Sequence, residues 1–184
     1  MFPATSTRRL VAAVGDLGGV AAIMASHPHM YGAQLEWVRA FEATVWVSQK
    51  HQHWVRREGG ELSSWSEPFD VRAGIRAWQP GGHFPGSAVV LWRAGAEGRC
   101  VLLSGDTIAA VPAEGWVAFQ RSYPNRIPLS AAVVARMSVP ATTSDFHRLY
   151  DNFAGIVAAD ATPSVRQSAE RYVSWVRGDH DADT

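Results

Sequence analysis

Hydrophobic positions along the chain alternate between two periods, and the change from one to the other predicts its elements. The stretch TSTRRLVAAVGDLGG places Leu10, Val11 and Val14 on one helical face and stops at Gly18 and Gly19, so it reads as a helix feeding a strand. The run VAAIMAS is short and continuously apolar, as expected of a strand covered on both faces. Leu35, Val38 and Phe41 in AQLEWVRAFEA recur at helical spacing, and TVWVS then reads as a strand. This is a β-α-β unit with the turn His27-Pro28-His29 at the carboxyl end of its first strand, the edge where open α/β sheets place ligands.

The second half changes character. IRAWQ, SAVVLWRA and CVLLSG are three short strand-like runs separated by the glycine-rich PGGHFPG and GAEGR, the pattern of an antiparallel meander. A helix opened by Pro128 is expected over PLSAAVVARMS, and another over TPSVRQSAERYVSWVRG, ended by Gly178. The chain is read as one domain over 1–178 with a polar, frayed tail over 179–184.

Composition narrows the partners. In 184 residues, 17 basic side chains balance 17 acidic ones, which argues against nucleic acid or an anionic membrane surface as partner. The eight tryptophans provide for a sizeable core. The single cysteine, Cys100, cannot form an internal disulfide, and no apolar run is long enough to span a bilayer, so a cytoplasmic location is expected. The expected partner is a small-molecule substrate, and a sheet edge left open would invite homo-oligomer formation.

Candidate chemistry gathers at strand ends. His27 and His29 form an H-x-H pair on a turn, His83 lies in GGHFPGS between two strands, and Asp106 ends the strand LLSGD. Three imidazoles and a carboxylate are the donors that zinc hydrolases use. A second H-x-H, His51 and His53, sits beside Lys50, Arg56 and Arg57, whose charge disfavours a cation, so a solvated face is expected there.

With these motifs in order, the chain resembles the metallo-β-lactamase superfamily. SHPHMYG corresponds to that family's H-x-H-x-D-H turn, GGHFPGS to its G-H-[ST]-P-G-[ST] loop, and LLSGD to its strand ending in the metal-bridging aspartate. The resemblance implies an αββα sandwich and a hydrolase with a metal-activated water, with His27, His29 and His83 as ligands of the first metal and Asp106 beside it. Tyr31 and Gly32 stand where the family has the aspartate and histidine of the second metal. Asn152 and Phe153 stand near the expected place of its last histidine. The chain also begins almost at the family's first helix, so the N-terminal strands are expected to be reduced or missing, as in a fragment or an alternative start.

These departures imply a mononuclear three-histidine site acting on a small ester, lactone, thioester or phosphoester. Zinc is the expected ion, with iron or manganese as alternatives, and Asp106 would orient the water or take its proton. Tyr31, Tyr123 and Asn125 are candidate substrate contacts, the last two from the SYPN loop. The competing reading is a catalytically inert domain that keeps the fold to bind a ligand or a partner.

Overall fold

The structure is a computed structural model that describes residues 8–57, 62–124 and 126–184. Helix α1 (Arg8–Asp16) leads into β1 (Ala22–Met24), α2 (Gln34–Phe41) and β2 (Thr44–Ser48), and β1 pairs parallel with β2. The β-α-β unit is therefore formed. A further strand, β3 (Leu62–Trp65), pairs parallel with the outer side of β2 and completes a three-stranded sheet in the order β1-β2-β3.

The second sheet is built around the expected meander. Strands β5 (Ile75–Trp78), β6 (Val89–Trp92) and β7 (Val101–Gly105) run antiparallel, extended by β4 (Phe69–Arg72) on one side and by β10 (Arg148–Asp151) and β11 (Ile156–Val157) on the other. A separate hairpin, β8 (Ile108–Ala110) with β9 (Val117–Phe119), follows β7. Helices α3 (Ala131–Met137), α4 (Val139–Thr143) and α5 (Ala161–Arg177) cover the outer face.

Side-chain alternation explains the layering. In β2, Val45 and Val47 face α2 and pack on Val38, while Trp46 points the other way and packs with Phe69 and Val90 of the second sheet. In β6, Val89 and Leu91 join Leu102, Val134, Met137 and Val165 under the helices, while Val90 faces the first sheet. The order of layers is α2, three-stranded sheet, six-stranded sheet, α3 to α5, the αββα sandwich expected from the sequence.

Two details differ from expectation. The helix α3 is capped by Ser130, whose Oγ accepts from the Val133 amide, and not opened by Pro128; the hydroxyl satisfies an otherwise orphaned N–H, which proline cannot do for its neighbours. The tail expected to be frayed forms a short 3-10 turn over Asp181–Asp183, with His180 stacked on Trp175 of α5.

Candidate metal centre

Both sheets end at one place. His27 is the extended residue that precedes a 3-10 turn (Pro28–Met30), closed by Met30 N–H to His27 O at 3.1 Å and Tyr31 N–H to Pro28 O at 3.0 Å. Gln34 fastens the exit of this turn: its Oε1 accepts from Gly32 N–H at 2.6 Å and its amide donates to Met30 O at 3.1 Å. From the other sheet, β7 delivers Asp106 just beyond Gly105. That glycine has φ +55°, and a Cβ there would lie 2.4 Å from Ser26 Cβ, so the strand end can approach the histidine turn only without a side chain.

His83 comes from the loop between β5 and β6, and that loop is held from below. Ser87 Oγ accepts from Phe84 N–H at 2.8 Å, and His51 Nε2 accepts from Gly86 N–H at 3.0 Å. A Cβ on Gly86 would come within 2.1 Å of Ser48 Oγ. The expectation of a solvated face for the second H-x-H is therefore wrong at His51, which is 1% exposed, and holds at His53, which is exposed. The 3-10 turn Gln49–Trp54 rotates the two rings to opposite sides, so the same motif supplies one loop anchor and one surface residue.

The result is a cluster of donors. One nitrogen from each of His27, His29 and His83 lies within 4.8 Å of the other two. Donors about 2.0–2.1 Å from one tetrahedral ion sit about 3.3 Å apart, so small ring movements suffice to close on an ion. Ser26 Oγ lies 2.9 Å from His27 Nδ1, which leaves His27 Nε2 to face the cluster, 3.5 Å from Asp106 Oδ2. His83 Nε2 is 3.7 Å from the same oxygen. Asp106 Oδ1 is engaged elsewhere, accepting from the Asn152 amide at 2.8 Å, and that amide also reaches Ser26 Oγ at 3.2 Å. Asp106 thus pairs with Asn152.

The protonation chemistry suits a cation. Burial, aided by the neighbouring imidazoles of His83, His29 and His51, lowers the His27 pKa to about 3. Burial also lowers that of His83, against an opposing pull from Asp106. Both rings are neutral near pH 7 and offer lone pairs. Among the described residues, His27 Nε2 and His83 Nε2, both turned towards Asp106 Oδ2, are buried without a hydrogen-bond partner. Each such orphan costs about 1–3 kcal/mol, and two from separate rings facing one carboxylate oxygen suit a common ligand that takes one nitrogen from each.

Tyr31, Gly32 and Asn152, which stand where the resemblance places ligands of a second metal, are engaged otherwise. Burial raises the Tyr31 phenol to about 12, so it stays protonated, and its ring packs with Val38, Val45 and Val47. Gly32 has no donor, and Asn152 presents its amide N–H to Asp106. Of the proposed substrate contacts, Tyr31 is half-buried beside the site, Tyr123 is 90% exposed, and Asn125 lies outside the described residues. Sequence reasoning passed over Phe84, whose ring stacks on His27 at 5.6 Å and meets His29, His83 and His51 at 4.9, 5.1 and 5.9 Å. An aromatic next to a histidine in a glycine loop was the available signal.

No family model matches the chain. It is 40% identical over 161 residues to the uncharacterized protein YmaE of Bacillus subtilis (strain 168), an alignment covering 87% of this chain. The chain spans only 59% of that relative's length. Among solved structures, DIM-1 metallo-β-lactamase aligns with a TM-score of 0.63 at 15% identity over 90% of this chain and 76% of its own. A B3 metallo-β-lactamase with an active-site glutamic acid gives 0.58 at 19% identity over 96% and 76%. The chemotaxis sensor ODP, described with a peroxy diiron species, gives 0.60 at 15% identity over 96% and 78%. The chain is a protein of the metallo-β-lactamase fold, and its three-histidine group occupies the strand ends of that sandwich.

Proposed function

We propose that this protein is a metal-dependent hydrolase with a single divalent ion, zinc or alternatively iron or manganese, acting on a small ester, lactone, thioester or phosphoester. The reading is supported by the cluster of His27, His29 and His83, in which the buried Nε2 atoms of His27 and His83 have no hydrogen-bond partner among the described residues and lie beside Asp106. An ion held by His27, His29 and His83 supplies a Lewis acid that brings the pKa of a water towards neutrality. The chain's own groups do the rest. The Asn152 contact falls on Asp106 Oδ1, and Oδ2 faces the histidines, placed to orient a water and hold its proton. Ser26 fixes the His27 ring through Nδ1.

The mononuclear form rests on Tyr31, Gly32 and Asn152. The Asn152 amide gives Asp106 a positive dipole on the side where a second cation would otherwise neutralise it. An inert domain retained only for binding has no use for orphaned nitrogens, which would be under pressure to be replaced by apolar or paired groups.

The experiment is elemental analysis of zinc-equilibrated protein alongside a panel of chromogenic esters and phosphoesters. The expected result is one equivalent of metal and metal-dependent turnover, both lost in His83→Ala. Absence of stoichiometric metal, or turnover that survives His83→Ala, refutes the reading.

A further inference from the structure

Beside the histidine turn a cavity of about 210 Å³ opens between α2, β2 and the segment after the 3-10 turn Gln49–Trp54. Its floor is apolar, formed by Leu35, Val45, Val47 and Val55, with Tyr31 and Trp54 as aromatic walls. Among the described residues the lining includes the guanidinium-bearing Arg56 and Arg57 and no carboxylate. Arg57 contacts Glu36 at 3.5 Å, whereas Arg56 is exposed and makes no ion pair among the described residues. Apolar walls with an exposed guanidinium at the rim match a ligand that is apolar along its length and anionic at one end.

The cavity adjoins the metal centre through shared residues. Pro28, between His27 and His29, contributes to its lining, as does Gly32 at the exit of the turn. Trp54 meets the edge of Phe84 at 6.0 Å, and Phe84 lies 4.9 Å from His29. None of the three imidazoles lines the cavity itself, but Pro28 joins it to the turn that carries two of them. A Cβ at Gly32 would meet nothing within 4 Å, so the turn leaves room on this side where a histidine would otherwise stand.

We propose that this cavity is the substrate-selecting subsite, and that it takes an apolar arm ending in a carboxylate, with Arg56 receiving the carboxylate and the reacting group lying at the three histidines. The proposal rests on the hydrolase reading for the position of the reacting group, but binding of the arm does not require the metal.

Isothermal titration with octanoate and with neutral octanamide, on zinc-loaded and EDTA-treated protein, tests it. Octanoate is expected to saturate one site in both forms, and Arg56→Ala to weaken octanoate about tenfold through loss of a charge-assisted contact while leaving octanamide unchanged. Gly32→Leu, checked for folding by circular dichroism, fills the cavity and is expected to weaken both ligands about tenfold. Octanoate binding that is absent, that is equal in wild type and Arg56→Ala, or that disappears with EDTA overturns the proposal. Because the EDTA-treated protein carries the comparison, a failure here is separable from a failure to bind metal.

Discussion

His51 gives the sharpest prediction, because one buried nitrogen links a titration to the loop that carries His83. Its Nε2 accepts from Gly86 N–H, so the neutral ring carries its proton on Nδ1, and a doubly protonated ring would turn a donor towards a donor. Burial, with His53 and Lys50 adding positive charge nearby, lowers its pKa from 6.5 to about 4. In the unfolded chain the ring binds its proton more readily, so its contribution is complete above pH 6.5 and is lost as pH falls from there towards 4. At pH 5 the loss is about 2 kcal/mol by linkage. His27, lowered to about 3, titrates in an overlapping window, so the wild type alone cannot isolate the effect. His51→Gln keeps an acceptor for Gly86 but cannot titrate. Urea unfolding of EDTA-treated protein at pH 7.5 and pH 5 should show the wild type losing about 2 kcal/mol more than His51→Gln. Equal losses in the two proteins would refute the argument that this ring is held neutral by the fold.

Three further outcomes are expected. Asn152→Ala removes the donor to Asp106 Oδ1 and should cost about 1–3 kcal/mol in urea unfolding of the metal-free protein. Zinc at about 100-fold over its dissociation constant should add about 2.7 kcal/mol of stability, read as a rise in thermal midpoint, and the gain should vanish in His83→Ala. Gly105→Ala forces a side chain against Ser26 at a backbone φ of +55°, and a loss of roughly 2–4 kcal/mol is expected by chemical denaturation.

Much of this arrangement was legible in the sequence because its signals are local. The helix period over Leu35, Val38 and Phe41, the meander from Ile75 to Gly105 and the three metal motifs each declare themselves within a few residues. What escaped depends on partners far apart in the chain. Strands β3, four residues with two serines, and β11, only two residues, are too short for a period, so pairing makes them strands. Asn152 acquires its role only when β10 aligns with β7 and brings it to Asp106, 46 residues away. His51 was misread because its neighbours in sequence are charged, while its neighbours in space are Gly86 and Phe84.

The donor set is divided between the two sheets, His27 and His29 coming from the end of β1 and His83 and Asp106 from the six-stranded layer. An ion bound there would be a rivet between layers, because neither layer alone offers all of these donors. Capture of such an ion would await docking of the two halves, and any slippage of one layer over the other would be felt as a weaker grip on it.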